Sequence, residues 1–224
     1  MIDFLENIET EINKYSFGGI LICGINWGGS SNDVIDSSPK TFFSDQENKK
    51  WNFRNRILKW FESWGHLLKT DVMEIGRFEK SITYTNWLGT KSPNMDGKNV
   101  FLECSTSPQL FIETINYLKP SIIMFASCDL QYALNSESCI SHVSHIFGIG
   151  NEPKYLQKDV FINGEKLRKF SVGFQEFVRC DIIALPHPTG SWGLSDSYIA
   201  SFGEEISQVL VKWKIINGVL KLIN

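Results

Sequence analysis

Apolar side chains recur at Phe4, Leu5, Ile8, Ile12 and Tyr15, the spacing of one helical face, and the Gly18-Gly19 pair that follows ends such a pattern. The spacing predicts a surface helix over residues 4–15. Ile20-Leu21-Ile22-Cys23 is then an unbroken apolar run that stops at Gly24, as in a strand covered on both faces. Residues 24–40 are rich in Gly, Ser, Asn and Asp and read as a loop. Trp51, Ile57, Leu58, Phe61, Leu67 and Leu68 predict a long helix over 47–69, broken near Gly65, and residues 81–88 predict a second strand.

Residues 107–118 are helical in pattern, Pro120 interrupts them, and 121–126 form another buried strand of the kind that follows a crossover helix. Two alternating segments, 159–162 and 167–174, meet near Asn163-Gly164, a strong hairpin signal. Residues 180–185 return to a buried strand and 186–193 form a loop. Helical spacing resumes over 195–213, with Ser195 as its cap. The β-α-β rhythm predicts an α/β fold: a three-layer α/β/α sandwich with a mainly parallel central sheet.

The chain has 224 residues, 42% hydrophobic and 13% aromatic, enough for one sizeable core, so a single domain over 1–224 is expected. A net charge of -3 and a pI near 5.8 exclude an extended, charge-driven nucleic-acid binder, but not contacts to a few phosphates. No apolar run reaches membrane-spanning length, and the N-terminus is acidic and amphipathic, unlike a leader. No membrane partner and a cytoplasmic protein are therefore expected. Cys23, Cys104, Cys128, Cys139 and Cys180 have no framework spacing, several sit inside apolar runs, and they read as buried free thiols.

In parallel α/β sheets, ligands bind beyond the carboxyl ends of the strands. Three unusual segments fall there: Gly24-Ile25-Asn26-Trp27-Gly28-Gly29, Thr85-Asn86-Trp87 and His187-Pro188-Thr189-Gly190-Ser191. Together they resemble the uracil-DNA glycosylase superfamily. There a first strand ends in a water-positioning Gly-x-Asn-Pro-Gly type of loop, a middle strand in a base-reading Asn and a late strand in His-Pro-Ser. The motifs look most like the single-strand-selective and mismatch-specific branches. The specificity lies in all three appearing together.

The resemblance implies a uracil-DNA-glycosylase-like fold and a monofunctional DNA glycosylase with no cofactor. It would act on single- or double-stranded DNA as a monomer, excising a uracil-like or modified pyrimidine and leaving an abasic site. Repair, or defence against phages with modified cytosines, would be its setting. Asn26 and His187 would be catalytic: an amide holds a water but takes up no proton, and an imidazole donates to the base oxygen as negative charge develops. Asn86 would read the flipped base with its acceptor and two donors, and Gly24, Ile25 and Trp27 would line the pocket. Phe43, or Phe42, would stack on the base. Trp192 and Leu194 would wedge the duplex, and Thr189, Gly190 and Ser191 would meet phosphates. The chain has Trp27 where the family usually has Pro, and Thr189 where it usually has Ser, which points away from plain uracil.

Two other function classes fit the same residues: a module that binds a modified base or nucleotide in DNA without cutting it, and an enzyme on free nucleosides or nucleotides. Cys139, His142 and His145 recur at three-residue intervals, but no fourth ligand follows and the neighbouring apolar residues indicate packing, so no metal is expected. Lys166, Arg168 and Lys169 read as a solvated hairpin face, with DNA backbone contact as the alternative.

Overall fold

The computed structural model describes residues 4–8, 10–26, 51–90 and 99–220. Its centre is a six-stranded sheet formed by β1 (Ile20–Gly24), β2 (Ile82–Asn86), β3 (Ile122–Phe125), β4 (Lys154–Leu156), β7 (Val172–Glu176) and β8 (Asp181–Ala184), in the order β2-β1-β3-β8-β7-β4. The first four in that order are mutually parallel, β7 pairs antiparallel with β8, and β4 pairs antiparallel with β7 and so runs with the first four. Chain order therefore reverses direction between β1 and β3, the kind of position beyond whose carboxyl ends α/β sheets bind ligands.

Alternation along each strand divides the core in two. Ile20, Ile22, Met124 and Ile183 face one layer, with α1 (Asn52–Ser63), α7 (Asp196–Ala200) and α8 (Gly203–Ile216) supplying Trp60, Tyr198 and Leu210. Leu21, Cys23, Phe125 and Ala184 face the other layer. It is built from α3 (Val100–Thr106), α4 (Gln109–Leu118), α5 (Cys128–Leu134) and α6 (Glu137–Phe147), through Cys104, Phe111, Leu130 and Val143. A short α2 (Arg77–Lys80) leads into β2. The fold is a three-layer α/β/α sandwich with a mostly parallel sheet, as the strand and helix patterns predict.

Several local expectations are corrected. Residues 4–15 do not form an α-helix; a 3-10 turn at Phe4–Asn7 gives way to extended chain along the outer edge of β2. Asn7 Nδ2 donates to Thr85 Oγ1 (3.2 Å) and to the Asn86 carbonyl, and Tyr84 N donates to Thr10 Oγ1 (3.2 Å). Covering a bare sheet edge outweighs the intrinsic helical pattern, while Ile8 and Ile12 still pack on the core. The helix expected over 47–69 ends at Ser63, just before Gly65 at φ +80°.

The hairpin turn is present, with Asn163 and Gly164 both at positive φ, but β5 (Phe161–Ile162) and β6 (Glu165–Lys166) pair over two residues only. The strand expected over 167–174 starts at Val172 and joins the main sheet. Ser195 does cap its helix, accepting from Tyr198 N at 3.1 Å. That helix breaks after Ala200, where Phe202 turns wholly into the core. The five cysteines are free. Among the described residues no helix is long and apolar enough to cross a membrane.

Candidate functional site

The floor of the site is the carboxyl edge of β1 and β2, where Gly24 and Asn86 are register partners. Pairing continues past the strands, Trp87 N donating to Gly24 O and Leu88 N to Ile25 O, each at 2.9 Å. The Trp87 ring stacks on Phe111 with centroids 4.0 Å apart, and its indole N–H donates to Cys104 O at 3.0 Å. This strand end is therefore rigid. Ile25 joins the buried layer beneath it.

Asn86 is buried at this edge, and its Oδ1 accepts from Tyr84 Oη at 3.2 Å, which orients the amide. There is room for that amide only because residue 24 is glycine: a β-carbon there would lie 2.3 Å from Asn86 Oδ1 and 2.9 Å from Tyr84 Oη. Asn26, two residues on, is half-buried, and its Nδ2 is shielded from solvent and meets no hydrogen-bond partner among the described residues. A buried amide left so costs about 1–3 kcal/mol, the kind of cost that persists where a ligand or water is bound.

His187 stands in the loop after β8, between the buried Pro186 and Pro188. Its Nδ1 accepts from Gly190 N at 2.7 Å and Thr189 N at 3.2 Å, and Thr189 Oγ1 lies 3.4 Å away. A nitrogen that accepts two backbone amides carries no proton, so the ring's single proton sits on Nε2, free to donate. Burial acts in the same direction, holding the pKa of His187 below its ordinary value. Gly190 also lies close to the ring, since a β-carbon there would stand 3.0 Å from Nδ1 and press on it.

Phe53, at the start of α1, joins the two halves of the site. Its ring centroid lies 5.3 Å from that of Tyr84 and 6.0 Å from that of His187. Asn86 and His187 thus belong to one wall, built through Tyr84 and Phe53.

No protein-family model and no curated protein matches the chain.

The loop that carries His187 is clamped from α1. Arg56 donates to the Pro188 carbonyl, to Leu194 O at 2.7 Å and, through Nε, to Asp196 Oδ1 at 2.9 Å, an oxygen that also accepts from Trp60 Nε1 at 2.9 Å. Along this loop Thr189, Gly190 and Trp192 are exposed and Ser191 is half-buried, accessible to a long ligand. A groove of about 800 Å³ runs beside it, lined in part by Asn52, Lys59, Thr70, Pro188 and Thr189. Leu194 corrects the sequence reading: only 8% exposed, it packs with the core on the α1 side and is no wedge.

Trp27, Phe42 and Phe43 lie outside the described residues. Cys139 is buried in the core while His142 and His145 on the same helix face solvent, so the three do not converge. Among the described residues no group of three or more His, Cys, Asp or Glu is placed to hold a metal ion. Lys166 and Lys169 both pair with Asp159 on the hairpin surface.

Sequence reasoning missed Tyr84 and Phe53. Tyr84 has a signal, since residues two apart on a strand share a face and it precedes Asn86 by two. Phe53 comes from a distant helix and has none.

Proposed function

We propose that this chain is a monofunctional DNA glycosylase, excising a pyrimidine-type base that has been flipped out of DNA. The carrying observation is the His187 ring, whose Nδ1 is held by the Thr189 and Gly190 amides so that a neutral imidazole presents Nε2–H. A donor of this kind stabilises a carbonyl oxygen as it becomes negative, and it does so without an ionised group that the buried site would have to desolvate.

Each remaining part then has a task. Asn86, oriented by Tyr84, reads the edge of the extruded base. Asn26 holds the attacking water, whose oxygen bonds to the anomeric carbon as the bond from that carbon to the base nitrogen breaks. The electron pair of that bond leaves with the base, where His187 shares the charge, and the water's proton passes to solvent. The exposed Thr189 and Gly190, with the half-buried Ser191, take the phosphodiester beside the flipped base.

The test is excision from labelled oligonucleotides carrying uracil, hydroxymethyluracil, or hydroxymethylated or glucosylated cytosine, followed by hot alkali to cut at abasic sites. Scission at one of these bases, lost in Asn26→Ala and His187→Ala, is the expected result. A second reading is favoured by the amide at position 26, which takes up no proton: a module that binds a modified base without cutting it. Binding without scission on every substrate selects that reading.

A further inference from the structure

Trp192 is 83% exposed, in a protein whose Trp60 and Trp87 are wholly buried. It sits on the loop of His187, yet it is not loose. Arg168, in the connection between β6 and β7, donates from Nη1 to Trp192 O at 2.9 Å. The Arg168 guanidinium carbon lies 5.6 Å from the centroid of the Trp192 ring and 5.3 Å from that of Phe170. Phe170 is in turn anchored to the core: its carbonyl accepts from Tyr198 Oη at 2.6 Å, and its ring meets the fully buried Tyr198 ring edge-on at 5.9 Å. Gly193, at φ +79°, brings the loop close to this strut, and a β-carbon there would stand 3.4 Å from Arg168 Cδ.

From this column we infer that Arg168 is a positioning residue that holds the Trp192 ring ready to stack on an unpaired nucleobase. The inference rests on the glycosylase reading for its partner, nucleic acid. The chemistry fits: an indole braced on one side by a cation offers a flat, sequence-tolerant platform, and ordering it beforehand lowers the cost of binding. Lys166 and Lys169 each pair with Asp159, whereas Arg168 is committed to the loop.

Two measurements test it. In protein labelled with 5-fluorotryptophan, the fluorine resonance missing from Trp192→Ala identifies Trp192; Arg168→Ala should shift and narrow that resonance, and an unchanged signal overturns the strut. Binding is then followed by fluorescence anisotropy on duplex DNA with a tetrahydrofuran abasic analogue.

Trp192→Ala should weaken affinity roughly tenfold, Arg168→Ala should reproduce most of that loss, and the double variant should lose no more. Arg168→Lys should not restore affinity, because lysine lacks the planar fork. The slope of log affinity against log salt should stay at the wild-type value in Arg168→Ala; a drop of about one would make Arg168 a phosphate contact instead and overturn the proposal. Additive losses, or wild-type affinity in either single variant, overturn it as well. Coupled losses without base excision would sink the glycosylase reading and leave the strut standing. Excision with Arg168→Ala at wild-type affinity would do the reverse.

Discussion

Gly24 and Asn86 face each other across the β1–β2 register, and a β-carbon on Gly24 would stand 2.3 Å from Asn86 Oδ1. The glycine is therefore required by the amide beside it. Gly24→Ala should displace the Asn86 side chain from Tyr84 and lower the excision rate about 10²-fold, as misplacement of a reading group by about an ångström does. The accompanying loss of stability should be about 1–3 kcal/mol. Single-turnover excision and urea unfolding separate the two effects. A wild-type rate in Gly24→Ala would remove Asn86 from the reading of the base.

Leu194 and Trp192 are two residues apart and should behave oppositely. Leu194→Ala opens a cavity in the core and should cost about 2–5 kcal/mol. Trp192→Ala removes an exposed ring and should change stability by under about 0.5 kcal/mol, its effect appearing in DNA binding. Thermal unfolding beside a binding assay checks both.

Arg56 holds two carbonyls of the His187 loop and the Asp196 carboxylate at the start of α7 at once. A lysine keeps the charge but not the fork. Arg56→Lys should cost about 1–3 kcal/mol and speed hydrogen exchange at Leu194 N, which donates to Ser191 O. Exchange unchanged at that amide would show that the loop holds itself.

The layers of this fold are legible in the sequence wherever a strand is covered on both faces. Ile20 to Cys23 and Ile122 to Phe125 are unbroken apolar runs because helices pack on either side of them. The error at residues 4–15 arose because a helical spacing of apolar residues also serves an extended segment lying on a sheet edge. What decides between the two is the hydrogen bonds from Asn7 and to Thr10, which reach β2 more than seventy residues away. Leu194 misled for a related reason. It follows exposed Trp192 and Gly193 in a polar loop, and nothing local shows that the chain dives inward there to be clamped by Arg56. Asn86 and His187 were visible as strand-end residues, while the wall that joins them depends on Phe53, whose place is set by how α1 packs.

His66 gives the chain an acid-sensitive contact with α8. Its Nδ1 accepts from Lys214 Nζ at 2.8 Å and its Nε2 faces Ser207 Oγ at 3.0 Å. Burial first, and the Lys214 charge second, lower its pKa from 6.5 to about 4. The folded pKa lies below the unfolded one, so the unfolded chain takes up this proton first. Stability is then flat above pH 6.5 for this group, falls as pH drops from 6.5 towards about 4, and levels off below that. His187, shifted in the same direction by burial, adds to the loss on the acid side. Urea midpoints from neutral pH down to pH 4 should show the His66→Gln variant closing on, or passing, the wild type as the solution is acidified. A difference independent of pH would mean that His66 is not held neutral.

Asn26 offers the sharpest test of the chemistry. On the glycosylase reading its amide positions a water but takes no proton from it, and its Nδ2 is buried with no partner among the described residues. A carboxylate of nearly the same shape removes that orphan donor and supplies a base. Asn26→Asp should raise the excision rate by about 10²-fold or more, the usual contribution of general-base catalysis. The rate should also become pH-dependent, increasing as the new carboxyl ionises, with an inflection above the ordinary range of an aspartate because the site is partly buried. A rate that stays flat with pH and no faster than the wild type would mean that the attacking water does not sit on residue 26. The glycosylase reading would then need another residue of the site to hold it.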